Sequence, residues 1–235
     1  VMAASVTTAA DAGNIRLHGS STVANGIVKP NKAKIEQQSS ATLSIITNGS
    51  GNGLKDLAAG KADVAMISAD FGFEASLVNK KAPGTLDTGA YKVHPVGGTK
   101  VFFIVNSANK VSSLSKEQVA GILSGSITDW SKVGGTGGRI VLIVERPGQG
   151  TRATVEMDVA PIKGKAKTLA SPNQIVKAVS QIPGSFSYAN GASMKAAAVK
   201  AVKGISVNQP LSLVTKGAPN SDQMKLIAAV KAAAN

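Results

Sequence analysis

The stretch Ile15-Arg16-Leu17-His18-Gly19-Ser20-Ser21-Thr22-Val23-Ala24 decides the fold. Residues 15–18 read as a strand, residues 19–22 as a polar turn, and Val23-Ala24 as the start of a helix. The same order occurs twice more. Residues 43–47 run into Asn48-Gly49-Ser50-Gly51-Asn52-Gly53, and residues 140–144 run towards Arg146-Pro147-Gly148-Gln149-Gly150-Thr151-Arg152. A strand ending in such a turn exposes the first unpaired N–H groups of the next helix, at the positive end of its dipole, which together form a ready anion site. Glycine lets the backbone approach an oxygen, and serine and threonine hydroxyls add donors. One such turn is ordinary, because these residues also cap helices and make turns. Three of one kind in one chain point to an oxyanion.

Outward from these turns, residues 64–67, 100–105 and 211–215 read as further strands. Ser115-Lys116-Glu117-Gln118 fits a capping box, with Val119, Ile122 and Leu123 on one face and Gly125 just past the end. Ser171-Pro172 places an N-cap before a first-turn proline, and Ile175, Val176, Val179 and Ile182 recur at helical spacing. A last helix runs from about Ser221 through Met224, Ile227 and Val230. Strands alternating with helices predict an α/β fold with mainly parallel sheets. The cluster Gly134-Gly135-Thr136-Gly137-Gly138 reads as a surface turn, and the lysines at 163, 165, 167, 195, 200 and 203 as solvated faces.

Composition narrows the chemistry. The 235 residues, 43% hydrophobic and 17% charged, have the balance of a globular chain rather than a disordered one. The apolar runs at 101–105 and 140–144 are far short of the roughly 20 residues that cross a bilayer. A net charge of +13 favours anions of any size. Zero cysteines exclude thiol chemistry and disulfides, and two histidines, His18 and His94, leave little for a metal site, so no metal or cofactor is expected. Aromatic residues at 3% are too few for the stacking platforms that hold single-stranded nucleic acid, so no nucleic-acid partner is expected. Residues 1–12 read as a flexible tail or a remnant of an export signal, because Ala10-Asp11-Ala12 has the form of a signal-peptidase site.

Among the candidate residues, Arg146 and Arg152 offer planar forks for an oxyanion, or else ion pairs with Glu145 or Glu156. Asp63 and Asp70 flank Val64-Ala65-Met66-Ile67-Ser68. An ionised acid in an anion site accepts hydrogen bonds only and selects a ligand that still carries a proton; either aspartate equally suits a cap. Gly148-x-Gly150-x-x-Ala153 matches part of a dinucleotide fingerprint but lacks the acid about 20 residues later. There is no phosphate loop ending in Gly-Lys-Ser/Thr and no G-x-S-x-G elbow, and nothing in the spacing recommends either histidine as a catalytic base. The chain reads as a binding protein, not an enzyme.

At these turns the sequence resembles the phosphate-binding proteins of bacterial ABC importers, within the two-lobed type II periplasmic binding protein superfamily. The likeness runs from about Ile15 to the C-terminus through Gly19 to Ala24, Gly49-Ser50-Gly51, Gly60 to Ala65, Val105 to Asn109, Ser126 to Trp130, Arg146 to Arg152, Pro183 to Tyr188 and Gln209 to Thr215. The resemblance implies an α/β fold with a ligand cleft between two lobes. Residues 13–97 and 207–235 would form the first lobe and 98–206 the second, with two crossing strands as hinge. It implies an exported, periplasmic or extracellular protein that delivers phosphate or a related oxyanion to an ABC permease. By the same resemblance Ser21, Thr22, the backbone of Val23 and Ser50 would donate from the first lobe, with Asp70 as acidic acceptor. Arg146, Gly150 and Thr151 would donate from the second. Gln149 stands in place of a serine in a turn one residue shorter after Arg146, Asn25 stands where proline is frequent, and Asp70 falls one residue late, leaving Ser68 or Ala69 at the matching point. These departures motivate a second expectation: the same fold recruited as an extracellular structural, filament-forming or adhesive protein that self-associates, with a degenerate anion site.

Overall fold

The computed structural model describes residues 13–194 and 198–234. The proposed tail, residues 1–12, and Lys195 lie outside them. Among the described residues eight strands form one sheet: β1 (Gly13–Gly19), β2 (Ala41–Thr47), β3 (Val64–Ile67), β4 (Tyr91–Asn106), β5 (Val141–Glu145), β6 (Ala166–Leu169), β7 (Ser185–Asn190) and β8 (Val199–Lys216), in the order β2-β1-β3-β8-β4-β7-β5-β6. Eight helices among the same described residues flank it: α1 (Ser21–Val23), continued by a π-helical turn over Ala24–Val28, α2 (Lys32–Ser39), α3 (Ser50–Ala58), α4 (Phe71–Lys81), α5 (Lys116–Ser124), α6 (Gly150–Asp158), α7 (Pro172–Gln181) and α8 (Ser221–Ala233).

The expected helix starts are present for the expected reasons. Ser115 and Gln118 exchange a capping box at α5, whose end is Gly125 at φ 87°. Ser171 accepts from the Gln174 N–H ahead of Pro172 at α7, and Asn220 with Gln223 forms a second capping box at α8. Lysines 163, 165, 167 and 203 are exposed, while Lys200 donates to the Asn109 carbonyl at 2.6 Å.

The mainly parallel arrangement expected from alternation is half of what forms. β1 pairs in parallel with β2 and β3, and β5 with β6 and β7, but β8 runs antiparallel to both β3 and β4, and β4 antiparallel to β7. The difference comes from β4 and β8, 16 and 18 residues long. They lie side by side through the centre, from Tyr91 opposite Lys216 to Asn106 opposite Val199, with register shifts at Pro95/Gly97 and Phe102/Ile104. Such irregularities bend and twist a strand pair locally.

Buried side chains divide on either side of that pair. One set draws on the segments around Ile15 to Val96 and Leu211 to Val230, and includes Leu17, Ile35, Leu54, Met66 and Leu213. The other draws on Val101 to Val207, where Phe103 stacks on Phe186 with centroids 5.9 Å apart and Trp130 and Tyr188 meet the same group edge-on. Burial of each such aromatic contributes roughly 1.5–3 kcal/mol. The two lobes therefore have separate cores, joined by a continuous two-strand ribbon.

Candidate functional site

The three polar turns lie at the C-terminal ends of β1, β2 and β5, the edge at which ligands bind open α/β sheets. Each leads into a helix start. Ser20 caps α1, its hydroxyl accepting from the N–H groups of Thr22 and Val23 at 3.1 and 3.3 Å. Gly49, at φ 96°, precedes Ser50 at the start of α3, and Gln149 precedes Gly150 at the start of α6.

Residues of both lobes converge on Ser68, which is buried in the loop after β3. The Ser20 hydroxyl donates to the Ser68 hydroxyl at 2.8 Å, and the Ser68 N–H donates to the Ser50 hydroxyl at 3.1 Å. The Thr154 hydroxyl, from the second lobe, and Gln209 Nε2, from β8, both donate to the Ser68 carbonyl, at 3.1 and 2.8 Å, and Gln209 Nε2 also reaches the Thr151 hydroxyl at 3.1 Å. Gly150 closes the centre. A methyl group on its Cα would lie 2.3 Å from Ser68 Oγ and 2.4 Å from Ser50 Oγ, so only glycine permits this approach. The Gly51 N–H donates across the cleft to the Gly148 carbonyl at 3.2 Å, and Asn190 Nδ2 donates to the Thr22 hydroxyl at 3.3 Å. The N-termini of α3 and α6 thus face each other across a closed cleft, their turns bridged by the bond from the Gly51 N–H to the Gly148 carbonyl.

The structure brings together Ser50, Ser68, Gly150 and Thr151, with Thr22 and Val23 beside them. Gln149 lies over the second turn, its Nε2 2.9 Å from where a Gly49 methyl would stand. Ser21 is half-buried next to the capping serine. Two of the expected residues lie apart from this cluster in the structure. Asp70 is exposed and caps α4, its Oδ1 accepting from the Phe73 N–H at 2.8 Å, because a helix starting at Phe71 needs an acceptor for its first amides. Arg146 is exposed and contributes its backbone to the turn, the N–H donating to the Leu169 carbonyl and the C=O accepting from Gln149, so the guanidinium is no part of the cluster. Asp63 pairs with Arg16, with Oδ1 2.7 Å from Nη2. Arg152 forms the ion pair with Glu156 at 2.9 Å and also donates from Nη1 to the Glu145 carbonyl at 2.9 Å.

Four participants were missed by reasoning from sequence: Ser20, Gln209 and two buried acids, Glu74 and Glu145. Ser20 was visible as a member of a turn already singled out. Both oxygens of Glu74, on α4, have no hydrogen-bond partner among the described residues, and neither has Oε2 of Glu145 at the end of β5. Burial pushes the Glu74 carboxyl up to about 7, with the nearby Ser50 hydroxyl opposing and the Glu156 charge adding. Burial likewise pushes Glu145 up to about 7, against the pull of Arg152 and Thr151. Tyr188, whose hydroxyl accepts from the Glu145 N–H at 3.3 Å, is driven well above the usual phenol range, burial again first among the causes. Two carboxyls that stay partly protonated near neutral pH spare this cluster much of the negative charge that would repel an anion. The described residues hold no group of three or more side chains suited to a metal ion, and no helix among them is long and apolar enough to cross a membrane.

Residues 4–234 match the profile of the PBP superfamily domain. The chain belongs to the PBP superfamily. It is similar to the phosphate-binding protein PstS of Bacillus subtilis (strain 168), 25% identical over 180 residues that cover 75% of this chain. That match spans 56% of the Bacillus protein, so the chain corresponds to about half of its curated relative. Among solved structures, a Clostridium perfringens substrate-binding protein with bound phosphate matches with a TM-score of 0.76 at 20% identity, covering 93% of each chain. An ABC-type phosphate transport receptor from Vibrio cholerae matches with a TM-score of 0.69 at 24% identity, covering 92% of this chain and 93% of the other. The two-lobed α/β architecture of this superfamily member accounts for its paired cores and its cleft.

Proposed function

We propose that this chain is an exported solute-binding protein that captures phosphate, or a related tetrahedral oxyanion, between its lobes for an ABC importer. The observation that carries the reading is the convergence of Ser50, Ser68, Gly150 and Thr151 from two lobes, at the facing N-termini of α3 and α6. The names of the relatives support phosphate as the ligand and ABC transport as the setting. The lobes are 13–97 with 207–235, and 98–206; the hinge is the β4–β8 ribbon where it crosses between the two cores. Periplasmic or extracellular placement belongs to the same reading, because a protein that captures a solute for an importer meets it outside the membrane.

Capture exchanges one set of bonds for another. When the lobes part, the Gly51 N–H leaves the Gly148 carbonyl and the Thr154 hydroxyl leaves the Ser68 carbonyl, and an oxyanion takes up the donors at the two helix starts with both helix dipoles behind it. Each charge-assisted hydrogen bond is worth about 1.5–3 kcal/mol, and micromolar affinity needs only about 8 kcal/mol, so a handful suffices. Closure then results because donors on both lobes meet one ligand.

Titration calorimetry of anion-stripped protein with phosphate and sulfate tests this. Phosphate binding, weakened about tenfold or more by Ser50→Ala, is the expected result. Absence of binding by either anion, together with self-association in size-exclusion chromatography, favours the structural or adhesive reading. The closed cleft, bridged from the Gly51 N–H to the Gly148 carbonyl and covered by Gln149, is the observation behind that alternative.

A further inference from the structure

The convergent residues are packed closely together, and a cavity lined from both lobes lies beside them. It has a volume of about 380 Å³ and begins at Ser21 and Thr22, the first-turn residues next to the Ser20–Ser68 pair. Both lobes build it: Thr22 and Asn25 from the first, Ser171, Asn173 and Asn190 from the second, and Thr99 from the connecting ribbon, over an apolar floor that includes Ile27 and Leu211. This is the size range of organic-ligand pockets and far exceeds what a bare phosphate would fill.

The lining decides the chemistry. No charged side chain and no aromatic ring is among the described residues that line it. Among these residues a second phosphate or carboxylate would find no cation to neutralise it, and a nucleobase no ring to stack on. Hydroxyls and primary amides, which both donate and accept, suit a neutral group with several hydroxyls. At the start of α7, the Ser171 hydroxyl and the Asn173 amide add donors at the rim, while Pro172 adds none.

We propose that the preferred solute is a small phosphomonoester, its phosphate at the convergent turns and its uncharged, hydroxylated remainder in this cavity. This rests on the anion-binding reading above and sharpens it. The lobes part at the turns to admit the phosphate, while the cavity already holds room for the rest.

The test is calorimetry of the full, anion-stripped chain with inorganic phosphate, sn-glycerol 3-phosphate, ribose 5-phosphate and glycerol, repeated on Asn173→Ala and Asn25→Ala. Both asparagines are exposed at the cavity, and thermal melts check that the variants fold. At least one ester binds about tenfold or more tightly than phosphate, glycerol alone does not bind, and the variants reduce ester affinity while phosphate affinity stays level. Phosphate binding as tightly as both esters, or folded variants that leave the ester-to-phosphate ratio unchanged, overturns the inference with the anion reading intact. If neither phosphate nor the esters bind, the anion reading itself falls, and the inference with it.

Discussion

Gly150 brings its bare Cα against Ser50 and Ser68 of the other lobe, and the chemistry of the cleft depends on that thinness. Replacing it by alanine puts a methyl group within 2.4 Å of two buried hydroxyls, so either the serines rotate out of their bonds or the lobes separate. Gly150→Ala is expected to lower the unfolding free energy by about 1–3 kcal/mol, read from urea denaturation, and to abolish anion binding. Asp70 provides the contrast. As an exposed cap of α4 it holds a helix end, and Asp70→Ala is expected to cost about 1 kcal/mol of stability while the preference for phosphate over sulfate stays unchanged. A lost preference would put the carboxylate back among the ligand contacts.

The packing of α4 against α6 and the end of β5 brings Glu74, Glu145 and Glu156 close, with Arg152 paired to Glu156 and Lys55 and Lys81 also lining the small space beside Glu74. Glu74 and Glu145 are held protonated up to about pH 7 in the fold, against 4.5 as their ordinary value. Between those limits the folded chain binds more protons than the unfolded one, so stability falls as pH rises. The contribution is fully present below about pH 4.5 and fully lost above about pH 7, on the order of 3 kcal/mol for each group. Urea midpoints are therefore expected to fall from pH 5 to pH 8, and Glu74→Gln to remove roughly half of that slope. A flat profile would mean that water reaches these carboxyls. Neither acid was legible in the sequence beyond one signal: Glu74 precedes Val78 by four residues, on a face that proves buried. The donor turns were legible because a helix start is local chemistry, written in Gly49-Ser50 and Gly150-Thr151. β6, β7 and the first half of β8 were not, because residues 166–169 and 199–207 carry lysines and little apolar alternation. Neighbouring strands hold them in place, and the antiparallel run of β4 against β8 is likewise a property of the assembled sheet.

Across the whole molecule, two separate cores share one ribbon, and what holds the lobes shut is a short set of polar contacts rather than a packed apolar face. The hydroxyl of Thr154, fully buried on α6, donates to the Ser68 carbonyl, Gly51 donates to Gly148, and Asn190 to Thr22. Bonds of this kind contribute about 0.5–1.5 kcal/mol each, so the closed form leads the open one by a margin small enough for a ligand to exploit. Any ligand must first wait for the open form, and its apparent affinity is reduced by the fraction of time the cleft is open. The closed chain is expected to scatter with a radius of gyration of about 17–18 Å, the value for a compact chain of this length. Thr154→Val removes one cross-lobe bond without touching the convergent serines, so it is expected to raise that radius in anion-free buffer, with saturating phosphate restoring it. It is also expected to speed association, because the open form is more often available. Scattering curves of wild type and variant that superimpose with and without phosphate would mean that the ribbon does not hinge, and that solute reaches the turns only by local movement of the loops around Ser68 and Gly150.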